Sequence, residues 1–244
     1  MTALLKTTQI QEPSSATVNL TLDTSGGVTV GQNLTVAGNI SVTGTGMAGR
    51  LIRAPQVITN TATTSYTTPS NCTAIYVELI GGGGNGGTAT RTTSQTNCGG
   101  GGSGAYAAKY FTVTGSTSYT IAVGAIAGNT TFTVGATTVT AGGGTSGANV
   151  SNSTTGAAGV GGTATNGDIN INGQKGQAAD ATVGGGAGGP AIMFGTSALP
   201  NGAQTSAGTS ATGYGGAGSG ATSNSGVTTG GAGAQGLIRV WEFT

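Results

Sequence analysis

"IYVELIGGGGNGGTATRTTSQTNCGGGGSGAYAAKYFTV", residues 75–113, places two strand-like ends around two glycine tetrads. Ile75, Val77 and Leu79 alternate with Tyr76, Glu78 and Ile80, which is the two-residue period of a strand. "AYAAKYFTV" has the same β-rich character at the other end. Glycine loses more conformational freedom on ordering than any other residue. Two tetrads beside good strands therefore need a structural return. Segments without side chains can run extended or polyproline-II-like and pack backbone to backbone, each satisfying its amides on its neighbours. The tetrads 81–84 and 99–102 are thus expected to be the first of several packed segments inserted into a β-sandwich. Flexible loops are the competing reading.

Working outward, residues 142–234 hold 28 glycines and only three charges, Asp168, Lys175 and Asp180. A structureless stretch of that length is unusual inside a compact domain, so packing of its glycine clusters is again the expectation. The predicted insertions are 81–104 and 142–235, within a tip domain spanning 47–244. "SYTIAVG", "TTFTV" and "TTVTA" read as further strands, rich in β-branched and aromatic residues. In "LIRVWEF", Leu237, Arg239, Trp241 and Phe243 share one face. Most aromatics fall between Tyr66 and Phe132 or at Trp241 and Phe243. The last strand is therefore expected to return to the sheet that contains 75–80. The fold class is all-β.

Residues 17–46 carry a six-residue step: Leu22, Val28 and Val30, Leu34 and Val36, Ile40 and Val42, with glycine or asparagine between most pairs. Units this small cannot bury their own apolar face. Two readings follow, ordinary hairpins of a sandwich or a slender β-shaft in which three chains wrap and supply one another's core. The second is the expectation, with the seven residues just named directed inward. Residues 1–16 are polar, contain a proline and are expected to dock on a partner protein.

Composition excludes several function classes. Lys and Arg number 7 against 6 acidic residues, without clustering, so a phosphate-binding surface is not expected. No apolar run reaches the length of a membrane helix, and "MTALLKTTQIQEPSS" lacks a signal peptide's apolar core, so assembly in the cytoplasm is expected. Histidine is absent, which removes histidine-based catalytic triads and most zinc sites. No enzyme activity, cofactor or metal is expected. Gly81, Gly83 and Gly86 satisfy the spacing of a dinucleotide fingerprint, but "TATRTTSQTNC" is poor in helix formers and cannot supply the helix that motif needs. Asp168, Asn170 and Asn172 read as side-chain-capped turns in preference to a calcium loop. Cys72 and Cys98 are either two free thiols or a bridge between the glycine loop and its strand.

The frame "SYTTPSNCTAIYVELIGGGGNGG … CGGGGSGAYAAKYFTV … SYTIAVG … GAGAQGLIRVWEF", over residues 64–243, resembles the glycine-rich domain of bacteriophage tail fibres and related virion proteins. "VGQNLTVAGNISVTGTG" is similar to the hexad shafts upstream of such tips. The resemblance implies a virion protein whose tip attaches to a host glycan or outer-membrane receptor. A structural or decoration protein of the virion, on head or tail, is the alternative. Tyr214, Phe194 and Lys175 are the candidate receptor contacts, since aromatic faces stack on sugars and bury area at low entropic cost. The hexads also generate a measurable expectation. Sedimentation equilibrium of the whole chain should give three times the chain mass, and a folded monomer at micromolar concentration would overturn the shaft.

Overall fold

The computed structural model describes residues 51–182, 184–192 and 205–244, and the backbone of three short strands before them. The chain divides into two units, Met1–Gly46 and Met47–Thr244. In the first, β1 (Gln9–Ile10), β2 (Leu20–Leu22) and β3 (Val28–Thr29) form an antiparallel sheet in which Leu22 lies opposite Val28. The six-residue step between these two thus joins a register pair. β1 falls inside the stretch 1–16 expected to dock elsewhere, and it pairs with β2. Val30, Leu34, Val36, Ile40 and Val42 lie outside the described residues.

The second unit starts from two five-stranded sheets. One has the order β15-β9-β6-β18-β4, from β4 (Gln56–Ile58), β6 (Ala74–Ile80), β9 (Tyr106–Thr112), β15 (Ile169–Ile171) and β18 (Leu237–Phe243). The other is β14-β12-β11-β10-β5, from β5 (Ser65–Thr67), β10 (Ser118–Ala122), β11 (Thr130–Val134), β12 (Thr137–Ala141) and β14 (Ala164–Thr165). Both strand pairings within these sheets are antiparallel throughout. The C-terminal strand lies beside β6, Leu237 opposite Ile80 and Phe243 opposite Ala74. Alternation then sorts the side chains. Ile75, Val77, Leu79, Phe111, Ile238 and Val240 from the first sheet meet Tyr66, Ile121, Phe132 and Val139 from the second in one core. The Phe132 ring sits 6.0 Å from that of Tyr66 and 6.4 Å from that of Phe111.

Beyond the ends of β6, β9 and β18 the chain leaves the sheets and runs as straight, strand-free segments. Their amides bond with a period of three. Gly81, Gly84 and Gly87 donate to the carbonyls of Ala105, Gly102 and Gly99, while Gly83 and Gly86 donate to Ala234 and Gly231. Three residues per turn is the polyproline-II repeat, so each segment turns three faces outward in rotation. Segment 97–105 occupies the centre. It donates to 215–221 (Cys98, Gly101, Gly104), to 174–177 (Gly100, Ser103) and to 142–145 (Gly102, Ala105). It accepts from 81–87, from 156–162 and from 186–189. Six neighbours around one segment make a hexagonal lattice, and the packed-segment reading of the glycine clusters holds over flexible loops.

Close approach, more than backbone conformation, demands glycine here. A Cβ on Gly101 would overlap the carbonyls of Gly84 and Asn85, and one on Gly84 would overlap that of Thr145. The obstacles are backbone atoms of segments that are themselves hydrogen-bonded and cannot swing aside. Gly226, the first residue of a short strand, is the contrasting case, with φ +67° and open space around it. Gly101→Ala is expected to lower stability by at least about 3 kcal/mol, the upper range for overpacking. Gly226→Ala should cost about 1–2 kcal/mol, the left-handed backbone strain alone. Thermal unfolding of both variants checks this; equal losses would count against the lattice.

Candidate functional site

The lattice has two ends. Gly81 and Ala105 mark the end at the sheets, and Gly87 and Gly99 the far end. Connections at the far end are knitted by short strands: β7 (Ala89–Arg91), β8 (Thr96–Asn97), β13 (Val150–Ser151), β16 (Thr222–Ser223) and β17 (Gly226–Thr228). β7 lies between β13 and β17, and β16 pairs with β8. Three separate loops, 88–97, 149–155 and 222–228, are thereby gathered into one surface. Asn152, at φ 51°, is its knot. Its Oδ1 accepts from the amides of Thr92 and Thr93, each at 2.9 Å, and its Nδ2 donates to Thr92 Oγ1 at 2.7 Å. Asparagine tolerates the left-handed region better than most residues. Asn149 Oδ1 accepts from Thr88 N at 2.7 Å, and Arg91 donates to the Asn224 carbonyl. Thr92, Thr93, Ser94, Ser151, Thr155 and Ser225 are exposed around these ties. The surface is uncharged apart from Arg91 and Asp180 and dense in hydroxyls. A groove of about 390 Å³ along the lattice flank adds Asn85, Thr88, Ser146, Asn149 and Thr229. Such an array can offer many neutral hydrogen bonds.

Tyr214 and Lys175, two of the three contact candidates, are not brought together. Tyr214 lies at the sheet end, half-buried against Ile80, Tyr106 and Leu237. With Val57, Gly213, Leu237 and Arg239 it lines a mostly apolar depression of about 260 Å³. Lys175 is exposed on the lattice flank. Phe194 lies outside the described residues. What sequence reasoning missed was the gathering of "TTSQTN" and "SNSTT" at one end. Their hydroxyl content was visible, but their proximity depends on the parallel pairing of β13 with β7.

Asp168 and its neighbours serve as turn and edge caps. Asp168 accepts from Lys109 Nζ at 2.7 Å and Tyr110 N at 2.9 Å, and Asn172 Oδ1 from Ala164 N at 3.0 Å. Cys72 and Cys98 are both free and buried, in different clusters, so the free-thiol reading stands. Burial raises the pKa of each thiol, which makes it a poor nucleophile.

A family model for a glycine-rich domain matches residues 58–240. The chain belongs to that family. No curated protein sequence matches this glycine-rich domain protein. The family match runs from the last residue of β4 into β18 and takes in the lattice between them, all within the one unit Met47–Thr244.

The domain's ionic anchors sit on the sheet built around β6. Glu78, 6% exposed, accepts from Tyr106 Oη at 2.9 Å, Arg239 Nε at 2.6 Å and Trp241 Nε1 at 2.8 Å. Glu242, 1% exposed, accepts from Arg53 and Tyr66. Burial pushes the Glu78 pKa up, but the bonds from Arg239, Trp241 and Tyr106 outweigh it, and the carboxyl titrates below its ordinary value of 4.5. A depressed carboxylate pKa contributes stability that is present above the unfolded value and is lost as pH falls through the folded one. The melting temperature should therefore drop on acidification below about pH 4.5. Glu78→Gln should be less stable at pH 7 and show a shallower acid limb in the same titration.

Proposed function

We propose that this protein is a bacteriophage virion fibre component, a homotrimer docked through its N-terminal region, whose glycine-rich tip attaches to the host surface. The observation that carries this is the far-end surface, where a side-chain-free lattice holds three hydroxyl-rich loops in fixed relation. Such chemistry suits neutral saccharides, through many weak hydrogen bonds, better than it suits charged polymers. Three copies on one fibre would then multiply weak contacts by avidity. A decoration protein without a receptor is the second reading, and the half-buried state of Tyr214 favours it over any scheme that relies on that ring.

The test is competition. Purified full-length protein in excess should block adsorption of phage particles carrying this chain to susceptible cells, with little dependence on salt. Thr93→Ala, Ser151→Ala and Thr155→Ala combined should weaken the block roughly ten- to a thousand-fold, from about 0.5–1.5 kcal/mol per lost hydrogen bond. Tyr214→Ala is expected to act less. A larger effect from Tyr214→Ala would move the contact to the sheet end, and a folded protein that slows no adsorption would leave the decoration reading.

A further inference from the structure

Among the described residues, most of the large apolar side chains at the surface gather in one place, with Ile126, Val160 and Val227 elsewhere. Leu51, Val57, Tyr110, Ile169 and Ile171 are 37–58% exposed, and all five fall on one face of one sheet. Register places them there. Val57 lies opposite Arg239, Arg239 opposite Glu78, Glu78 opposite Ala108 and Ala108 opposite Ile169. Ile171 continues the row of Tyr106, Ile80 and Leu237, and Tyr110 that of Tyr76 and Trp241. Leu51 bridges to Phe243. This is the face turned away from the sandwich core. Among the described residues, its part around Ile80, Tyr106 and Leu237 is covered by Ile192 and Tyr214.

We infer that this outer sheet face is the contact between tip domains of neighbouring copies in the fibre. The inference rests on the oligomeric reading proposed above. Three features favour a second copy as occupant. The face's two ionised groups, Arg239 and Glu78, neutralise each other at 2.6 Å, and Arg239 also stacks 5.4 Å from the Trp241 ring. A face without net charge can meet its own image without repulsion. Its buried carboxylate is spent internally, as Glu78 already takes three donors, which leaves mainly aliphatic and ring surface. Finally, at about 3.3 Å by 4.8 Å per residue, the five strands cover only roughly 430 Å² of plane. A freely diffusing partner typically needs about 800 Å² per side. Copies tethered through their N-terminal units meet at roughly millimolar effective concentration and need far less.

Trp241 is the sole tryptophan and sits half-exposed on this face, so it reports on coverage. In the full-length oligomer, acrylamide should quench its fluorescence at least about three-fold less than in the Val57→Glu/Ile171→Glu variant, at unchanged circular dichroism. Val160→Glu/Val227→Glu, at exposed positions off this face, should leave quenching at the wild-type level. An oligomer by sedimentation with Trp241 equally quenched in all three proteins overturns the inference while leaving the oligomeric reading intact. A monomer by sedimentation removes that reading and the inference with it. Protection of Trp241 by an added soluble saccharide, equal in oligomer and monomer, would assign the face to a glycan and overturn it as well.

Discussion

The structure depends on one geometric permission: backbones can approach to hydrogen-bonding distance on every side only where no Cβ intervenes. Segment 97–105 uses it most fully, donating to three neighbours and accepting from three others. A β-strand bonds to two neighbours and must bury or solvate two rows of side chains. A threefold segment of glycine bonds in all directions and has no side chains to dispose of. The cost is rigidity of composition, because one methyl group at Gly101 would meet backbone that has nowhere to go.

This permission explains how a chain so poor in apolar residues holds together. Val, Leu, Ile and Phe make up about a sixth of the residues, enough for one sandwich core and little else. The lattice instead accumulates backbone bonds, each worth about 0.5–1.5 kcal/mol net, without the rotamer entropy that ordering longer side chains would cost. The seam between the two regimes is built with care. Thr130, fully buried, donates its hydroxyl to the Ile80 carbonyl at 2.6 Å and accepts from Gly124 N at 3.0 Å, where β6 passes into glycine. Glu78 and Glu242 anchor the C-terminal strand on its two faces, one through Arg239 and Trp241, the other through Arg53 and Tyr66.

Much of this was legible in the residues. The alternation of Ile75, Val77 and Leu79, the glycine tetrads and the aromatic content of "LIRVWEF" led to an all-β sandwich, packed glycine segments and the β6–β18 pairing, all of which the structure shows. The buried carboxylates were not legible, because a glutamate in a strand reads as solvent-facing until its partners, for Glu78 Arg239 and Trp241 more than 160 residues away, are placed beside it. The candidate site was harder still. Isolated aromatics at Tyr214 and Phe194 drew attention by their contrast with small residues. Tyr214 instead plugs the sheet end, and the hydroxyl-rich loops that share the far end have no motif, only topology, to mark them.

The placement of the C-terminal strand has a consequence for how the molecule comes into being. Gly83 and Gly86 find their acceptors at Ala234 and Gly231, and Ile80 finds Leu237, all far later in the chain. Neither the sandwich nor the lattice can close until β18 is available. Contacts so remote in sequence slow folding, since loop closure precedes any reward. Until that moment, the nascent chain carries two glycine tetrads and half a core without partners. The final seven-residue strand then acts as a latch, and a chain interrupted just short of it would present an open sheet edge to its neighbours.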